Sequence, residues 1–159
     1  MSRKTELETG AADADAIEYI TVHVGGQLFG IPVIVVQDVF EVTGVTPVPL
    51  ALPEVHGVLN LRGRTVTAID MRKRLGLPRG ERSVTRMAVG IEENGEAFGL
   101  IVDSVGEVLS LRAQDLERSP ANLDPRWQQV SSGVHRLDGD LMVVLDVRRA
   151  LELQSAAAA

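Results

Sequence analysis

The residue types that most often perform chemistry are scarce in this chain and are not clustered along it. The sequence holds three histidines, His23, His56 and His135, and no cysteine among its 159 residues. No histidine has a second histidine at a spacing typical of a metal site. The absence of cysteine excludes disulfides and thiolate nucleophiles. The sequence therefore predicts no metal site.

Two aspartates are the remaining candidates for acid–base chemistry. Asp70 and Asp146 could form a carboxylate pair of the kind that glycosidases use. Each one, however, directly precedes a short helix-permissive stretch, MRKRL or VRRAL, where an aspartate caps a helix. The segments GGQLFG and NGEAFG have no lysine or helix start after them, so they do not predict a phosphate site. We therefore interpret both aspartates as helix caps and predict no catalytic residue and no cofactor.

The elements that must position any functional residue are written twice in the chain. The segment GQLFGIPVIVVQDV matches GEAFGLIVDSVGEV at an offset of 69 residues, which places Phe29 on Phe98. A second pair, GVLNLRGRTVTAIDMRKRLGL from Gly57 and GVHRLDGDLMVVLDVRRALEL from Gly133, matches at an offset of 76 residues. Two blocks that recur in the same order indicate one supersecondary unit present twice.

Alternating apolar and polar residues in each copy predict short β-strands. In EYITVHV, for example, Ile20, Val22 and Val24 share one face. Pro32 predicts an edge position or a bend, because proline cannot donate a hydrogen bond to a ladder. The pattern predicts about five short strands per half, and therefore an all-β fold. Because five short strands cannot bury a good core as a flat sheet, we expect each half to curl into a small five-stranded barrel. The two barrels would lie side by side and share an apolar layer, with a short helix after the last strand of each half.

The pattern also predicts how the chain is divided. We expect a flexible N-terminal tail (residues 1–16), a single domain (17–153) and a C-terminal tail (154–159). Within the domain, one subdomain covers about 17–83 and the other about 84–153. The sequence leaves open whether the C-terminal helix packs on its own half or returns to the first.

Composition excludes several classes of partner. The net charge of −6 provides no basic field for a nucleic acid backbone. No segment approaches the roughly 20 apolar residues of a membrane span, and no signal peptide opens the sequence. We expect a cytoplasmic protein that neither binds nucleic acid nor inserts into a membrane.

The two copies differ in charge at one turn. Arg62 is replaced by Asp138 in the second copy, whereas Asp38 is replaced by Glu107, which keeps its sign. Only the first copy could therefore form an ion pair that orders its turn. We predict that Arg62 and Asp38 form this pair. The pair is either a plain surface salt bridge worth about 0–1 kcal/mol or the element that makes the turn a docking surface.

The stretch TPVPLALPEVHGVLNLRGRTVTAIDMRKRLGL resembles the CheW-like chemotaxis coupling proteins. FGLIVDSVGEVLSL and SGVHRLDGDLMVVLDV follow in the family's order, so that the similarity spans Tyr19 to Leu153. The resemblance implies two SH3-like barrels and a stand-alone, non-enzymatic adaptor or scaffold of signal transduction. Such proteins couple the cytoplasmic helical hairpin tips of chemoreceptors (methyl-accepting chemotaxis proteins) to the regulatory domain of the histidine autokinase CheA, at membrane-associated receptor arrays.

The resemblance also implies which residues contact these partners. The NLRG motif corresponds to Asn60, Leu61, Arg62 and Gly63, and the glycine that precedes it is Gly57. The comparison of the two copies, not the resemblance, adds Asp38 as a candidate. A groove between the two barrels should be lined by repeated small and apolar positions, for each of which a core role is the alternative. These are Val36, Val39, Gly99, Val102, Val105 and Val108.

Two other functions remain open at this point. A docking module of the same fold could serve another two-component kinase pathway that does not use chemoreceptors. An enzyme would need a pocket with shifted titratable groups, and the scarcity of histidine, cysteine and aromatic residues weighs against it.

Overall fold

The computed structural model describes residues 15–78 and 86–158, and this part of the chain forms ten β-strands and three α-helices. In chain order, the strands are β1 (Ala16–Val24), β2 (Gln27–Pro32), β3 (Val36–Glu41), β4 (Val55–Leu61), β5 (Arg64–Asp70), β6 (Met87–Glu93), β7 (Glu96–Val102), β8 (Ser104–Arg112), β9 (Ser131–Leu137) and β10 (Asp140–Leu145). The helices are α1 (Met71–Arg74), α2 (Pro125–Gln129) and α3 (Val147–Ala158). The predicted all-β class is confirmed.

The predicted limits of the domain coincide only partly with the described residues. The expected N-terminal tail lies outside them except for its last two residues, and so does the expected boundary near 83. Helix α3 continues through most of the segment expected to be a C-terminal tail. Among the described residues, no helix is long and apolar enough to cross a membrane.

The strands form two five-stranded sheets, and these sheets exchange strands between the two halves of the sequence. Sheet 1 has the order β8-β1-β2-β10-β9, and sheet 2 has the order β3-β6-β7-β5-β4. We expected each half to build a barrel from its own strands. This assignment was wrong, because each sheet takes two strands from one half and three from the other. Since the two copies have nearly the same apolar pattern, the pattern does not distinguish a strand's own partner from its counterpart in the other copy.

Both sheets place the repeated strands in the same order, namely the third, first, second, fifth and fourth strands of a copy. The two parallel pairs, β2 with β10 and β5 with β7, each join the second strand of one copy to the fifth strand of the other. The copies are thus related by an approximate two-fold exchange. Neither copy holds a complete sheet by itself.

The crossovers between sheets explain the position of Pro32. Strand β2 lies inside sheet 1, between β1 and β10, so the expected edge position was wrong. The expected bend is confirmed, because Pro32 ends β2 and a 3-10 turn at Val33–Val35 leads the chain to β3 in sheet 2. Asp103 lies at the corresponding return from β7 to β8. A strand end tolerates proline because no further ladder hydrogen bond is needed there.

Apolar side chains fill three layers. The central layer lies between the sheets and contains Val22, Val24, Phe29 and Ile31 from sheet 1 with Val89, Ile91, Phe98 and Leu100 from sheet 2, among others. Sheet 2 has a second layer of Phe40, Leu59, Val66, Ala68, Ala88 and Ile101. Sheet 1 has a third layer around Tyr19, Met142 and Val144. The predicted shared layer is therefore confirmed, and it makes the two sheets one folding unit.

The helices begin where the sequence predicted caps. The Asp70 side chain accepts hydrogen bonds from the N–H groups of Arg72 and Lys73, and Asp146 accepts one from the N–H of Arg149. Helix α2 was not among the predicted elements. Its start signals are nevertheless ordinary, with Asp124 as N-cap and a proline at the first position.

Candidate partner-binding surface

The turn between β4 and β5 carries the charged pair that the sequence predicted. The Arg62 guanidinium forms an ion pair with the Asp38 carboxylate on β3. Hydrogen bonds from Arg62, and then from the N–H of Val39, lower the pKa of Asp38. The Arg62 side chain is 74% exposed, so the pair is presented to solvent. The predicted pairing is confirmed. Its acidic counterparts in the second copy, Asp138 and Glu107, belong to none of the described ion pairs.

Backbone geometry makes the turn a tight one. Arg62 and Gly63 both have positive φ, at 53° and 81°, as a type I′ hairpin turn requires. The Asn60 Oδ1 accepts a hydrogen bond from the N–H of Gly63 at 3.0 Å. Asn60 therefore closes the turn that presents Arg62.

Gly57, inside β4, supports the loop that precedes this strand. Its φ is 155°, and a Cβ atom there would lie 2.5 Å from the carbonyl oxygen of Thr46. This close approach allows Thr46 and Val58 to exchange two backbone hydrogen bonds, of 2.8 and 2.9 Å. Gly57 is buried, so it fixes the proline-containing loop before β4 and is not available for direct contact with a partner.

A depression of about 220 Å³ lies on sheet 2 beside the ion pair. Its wall includes Phe40, Leu61 and Phe98 in addition to both charged residues. Gly99 is buried below it, where a Cβ atom would lie 2.9 Å from the Phe40 ring. Gly99 thus sets the position of Phe40 and is not itself a contact surface.

The predicted groove valines differ in exposure. Val36 and Val105 are half-buried at the margin of the central layer. Val39 is half-buried on β3, and Val108 is 53% exposed on β8. Val102 is only 2% exposed and belongs to the central layer, so its assignment as a contact residue is corrected. Alternation identifies the apolar face of a strand, but it does not show whether a residue lies at the margin of the core or inside it. Only the packing of the second sheet decides this.

Sequence reasoning did not single out an apolar surface at the end of sheet 1. Ile34 is 91% exposed at the crossover, beside a cavity of about 730 Å³ that is also lined by Ile17, Tyr19 and Leu116. A signal was present, since Ile34 stands where the second copy has Asp103. An apolar residue at the position of a charged one marks a site at which the two copies diverge.

The histidines have separate environments. His23 is exposed, and the Nε2 of His56 lies 3.3 Å from a guanidinium nitrogen of Arg86. His135 is 2% exposed, and its Nε2 has no hydrogen-bond partner among the described residues. Burial lowers the pKa of His135 despite the nearby carboxylates of Asp115 and Glu117. Within residues 15–78 and 86–158, no cluster of acidic and histidine side chains could hold a metal ion.

Comparison with known proteins places this fold in a family. The family model described as CheW-like domain matches residues 18–155. The chain is 28% identical over 130 residues to the chemotaxis protein CheW of Rhizobium meliloti (strain 1021), covering 82% of this chain and 84% of that protein. It is 30% identical over 142 residues to the chemotaxis protein CheW of Thermotoga maritima, covering 87% of this chain and 92% of that protein.

A solved structure shows the same fold. The crystal structure of the scaffolding protein TtCheW from Thermoanaerobacter tengcongensis superposes with a TM-score of 0.72 at 24% identity, covering 81% of this chain and 88% of that one. The two-sheet architecture and the family match agree over nearly all of the described residues. The chain therefore belongs to the family of CheW-like domains.

Proposed function

We propose that this protein is a non-enzymatic chemotaxis adaptor that couples the cytoplasmic tips of chemoreceptors to a CheA-type histidine kinase. The observation that carries the proposal is the CheW-like match over residues 18–155, which spans both sheets. Several relatives are chemotaxis proteins of the same name. An adaptor needs surfaces for two partners, and this fold offers two surfaces of different character. In the cell, such a protein acts in the cytoplasm at membrane-associated receptor arrays.

The kinase surface of this proposal is the turn of sheet 2. Arg62 and Asp38 hold an exposed charged pair beside an apolar depression, a combination that suits a protein interface with a polar rim. The regulatory domain of the kinase would contact Arg62 and the rim of Phe40 and Leu61. Asn60 and Gly57 contribute by holding the turn and its neighbouring loop.

The receptor surface of this proposal runs along the edge strands of both sheets. Val36 on β3 and Val105 on β8 are equivalent positions of the two copies, and both lie at the margin of the central layer. Val108 adds an exposed apolar side chain on β8. A helical hairpin can lay an apolar stripe against such residues. Val39 belongs to the same edge strand as Val36.

Co-sedimentation combined with kinase assays tests the whole proposal. The protein would be mixed with a chemoreceptor cytoplasmic fragment and a CheA-type kinase while ATP turnover is followed. We expect all three to sediment together and kinase activity to respond to the receptor only when the protein is present. Binding to the kinase without binding to the receptor would instead indicate a docking module of another two-component pathway.

Charge reversal at Arg62 tests the kinase surface. The change Arg62→Asp is compatible with the positive φ of this position, because aspartate tolerates that region better than most residues. We expect kinase affinity to fall by about tenfold or more, as when one partner of an interfacial charge pair is lost.

Arg136→Asp is the matched control, because Arg136 is 68% exposed and forms a comparable ion pair with Glu117 on the second copy. We expect this variant to bind the kinase normally in a titration calorimetry experiment. Equal affinity of Arg62→Asp and the wild type would refute the kinase surface.

A further inference from the structure

Two junctions hold the sheets together, and the repeat makes them directly comparable. At the first junction, Arg72 on α1 forms a bidentate ion pair with Asp103, with Nε–Oδ1 and Nη2–Oδ2 distances of 2.8 and 2.7 Å. The Asp103 carboxylate also accepts a hydrogen bond from the N–H of Gly25 at 2.8 Å. Gly25 belongs to the β1–β2 turn of sheet 1, whereas α1 follows β5 of sheet 2. One carboxylate therefore ties the two sheets.

The surroundings of this pair fix its orientation. The N–H of Asp103 donates a hydrogen bond to the carbonyl oxygen of His23 at 2.9 Å. The Nη1 of Arg72 donates one to the carbonyl oxygen of Pro78, also at 2.9 Å. The side chains of Arg72 and Asp103 are only 22% and 30% exposed. Burial alone would raise the pKa of Asp103, but the bonds from Arg72 and Gly25 outweigh it, so that the pKa is lowered. A bidentate guanidinium–carboxylate pair of this kind constrains geometry as well as charge.

The second junction lacks this arrangement. The repeat places Ile34 at the position equivalent to Asp103 and Arg148 at the position equivalent to Arg72. Ile34 is 91% exposed, and it has no carboxylate with which to bind an arginine. The Arg148 side chain is 75% exposed and contacts Glu93 at 3.4 Å. Among the described residues, the first junction thus has a bidentate and largely buried ion pair, whereas the second has the longer and more exposed contact of Arg148 with Glu93.

We propose that Arg72 and Asp103 are positioning residues that set the placement of sheet 1 relative to sheet 2, and with it any partner surface that spans both sheets. Asp103 directly precedes β8, the strand of sheet 1 that carries Val105 and Val108. A loosened Asp103 would displace this strand relative to Val36 in sheet 2. The inference rests on the proposed function, in which the receptor surface spans both sheets and the kinase surface lies within sheet 2.

Binding measurements with both partners test this division. For Arg72→Ala and Asp103→Ala, we expect affinity for the receptor fragment to fall about tenfold, the range typical of positional coupling. Kinase affinity should stay within about twofold, because the Arg62 turn keeps its own supports. Arg72→Lys should recover only part of the loss, since a lysine cannot form the bidentate pair. Arg148→Ala is the matched control and should bind both partners normally.

A merely structural role would lower the melting temperature without this split between partners. Unchanged receptor affinity in Arg72→Ala, equal losses for both partners, or an equal effect of Arg148→Ala would each overturn the inference. Thermal unfolding would confirm that each variant is folded at the assay temperature, and Arg72→Lys provides the milder change if the alanine variants do not fold.

A distance measurement separates this inference from the proposed function. Because the chain has no cysteine, spin labels can be placed selectively at Thr65→Cys in sheet 2 and Arg112→Cys in sheet 1. We expect the distribution of label distances to broaden in Arg72→Ala and to remain unchanged in Arg148→Ala. An unchanged distribution in Arg72→Ala would overturn the inference even if the wild type binds both partners. A failure of the wild type to bind the receptor would refute the proposed function, and the distance result would still decide on the positioning role.

Discussion

Replacing Gly57 with alanine tests the reasoning about the loop that precedes the Arg62 turn. At φ 155°, a residue with a side chain is strained by roughly 1–3 kcal/mol. The new Cβ would also lie 2.5 Å from the carbonyl oxygen of Thr46 and 2.6 Å from a methyl of Val45, so the loop must move. Moving it weakens the two hydrogen bonds between Thr46 and Val58, each worth about 0.5–1.5 kcal/mol. We expect Gly57→Ala to lower the free energy of unfolding by about 3–5 kcal/mol.

Gly63 provides the matched control for this substitution. It also has positive φ, at 81°, but a Cβ atom there would meet nothing within 4 Å. Gly63→Ala should therefore cost only the backbone strain, about 1–2 kcal/mol. Gly133, the repeat equivalent of Gly57, has φ 150° and a carbonyl oxygen, that of Glu117, at 2.6 Å. Gly133→Ala should cost as much as Gly57→Ala.

Urea unfolding followed by far-ultraviolet circular dichroism measures these differences. With a slope of about 2 kcal/mol/M, the midpoint of Gly57→Ala should fall by roughly 2 M relative to the wild type. The midpoint of Gly63→Ala should fall by less than about 1 M. If Gly57→Ala is no less stable than Gly63→Ala, the close approach of Thr46 does not constrain this position and the reasoning is refuted.

Two further predictions concern buried polar side chains. The lowered pKa of His135 means that the folded protein binds fewer protons than the unfolded chain, so stability should fall as pH drops through 6.5, the ordinary pKa of histidine. His135→Leu introduces the residue type that the first copy has at the equivalent position, Leu59. In thermal unfolding curves recorded between about pH 7 and 5, this variant should lose less stability than the wild type. An unaltered pH dependence would contradict the prediction. Arg74 is 6% exposed and donates hydrogen bonds from Nε and Nη2 to the carbonyl oxygens of Ala150 and Arg149, at 2.9 and 3.2 Å. Arg74→Ala should lower stability by about 2–4 kcal/mol and speed hydrogen exchange in α3, whereas unchanged exchange there would show that Arg74 does not hold the helix.

The exchange of strands has a consequence for stability. Each sheet pairs strands of both copies, and the central layer takes side chains from both sheets. A single copy would keep two separate pairs of strands, would leave its third strand (β3 or β8) without a neighbour, and would expose half of the central layer. The duplication therefore supplies the folding unit itself, and we expect the protein to unfold in one cooperative transition.

Local features of the sequence predicted much of this structure. Alternation identified the face of β1 that carries Ile20, Val22 and Val24, and all three contact the central layer. Aspartates before helix-permissive segments predicted the caps of α1 and α3. The charge difference at Arg62 predicted its ion pair with Asp38. Each of these depends on residues close in sequence or on a direct comparison of the copies.

Other features were decided only by the tertiary structure. The copies share one apolar pattern, so nothing in it determines whether a strand pairs within its own copy or with the other. The same limit applies to Val102 and Val108, which are both apolar residues of the second copy, yet one is 2% exposed and the other 53%. Arg72 and Asp103 are separated by 31 residues, and their ion pair exists because α1 and the β7–β8 crossover meet at the junction of the sheets.

The sequence by itself determined which strands form and how they turn, because these depend on local periodicity and backbone preference. The packing of one sheet on the other decided which side chains are core, which are surface and which tie the sheets together, because those roles depend on contacts between distant parts of the chain.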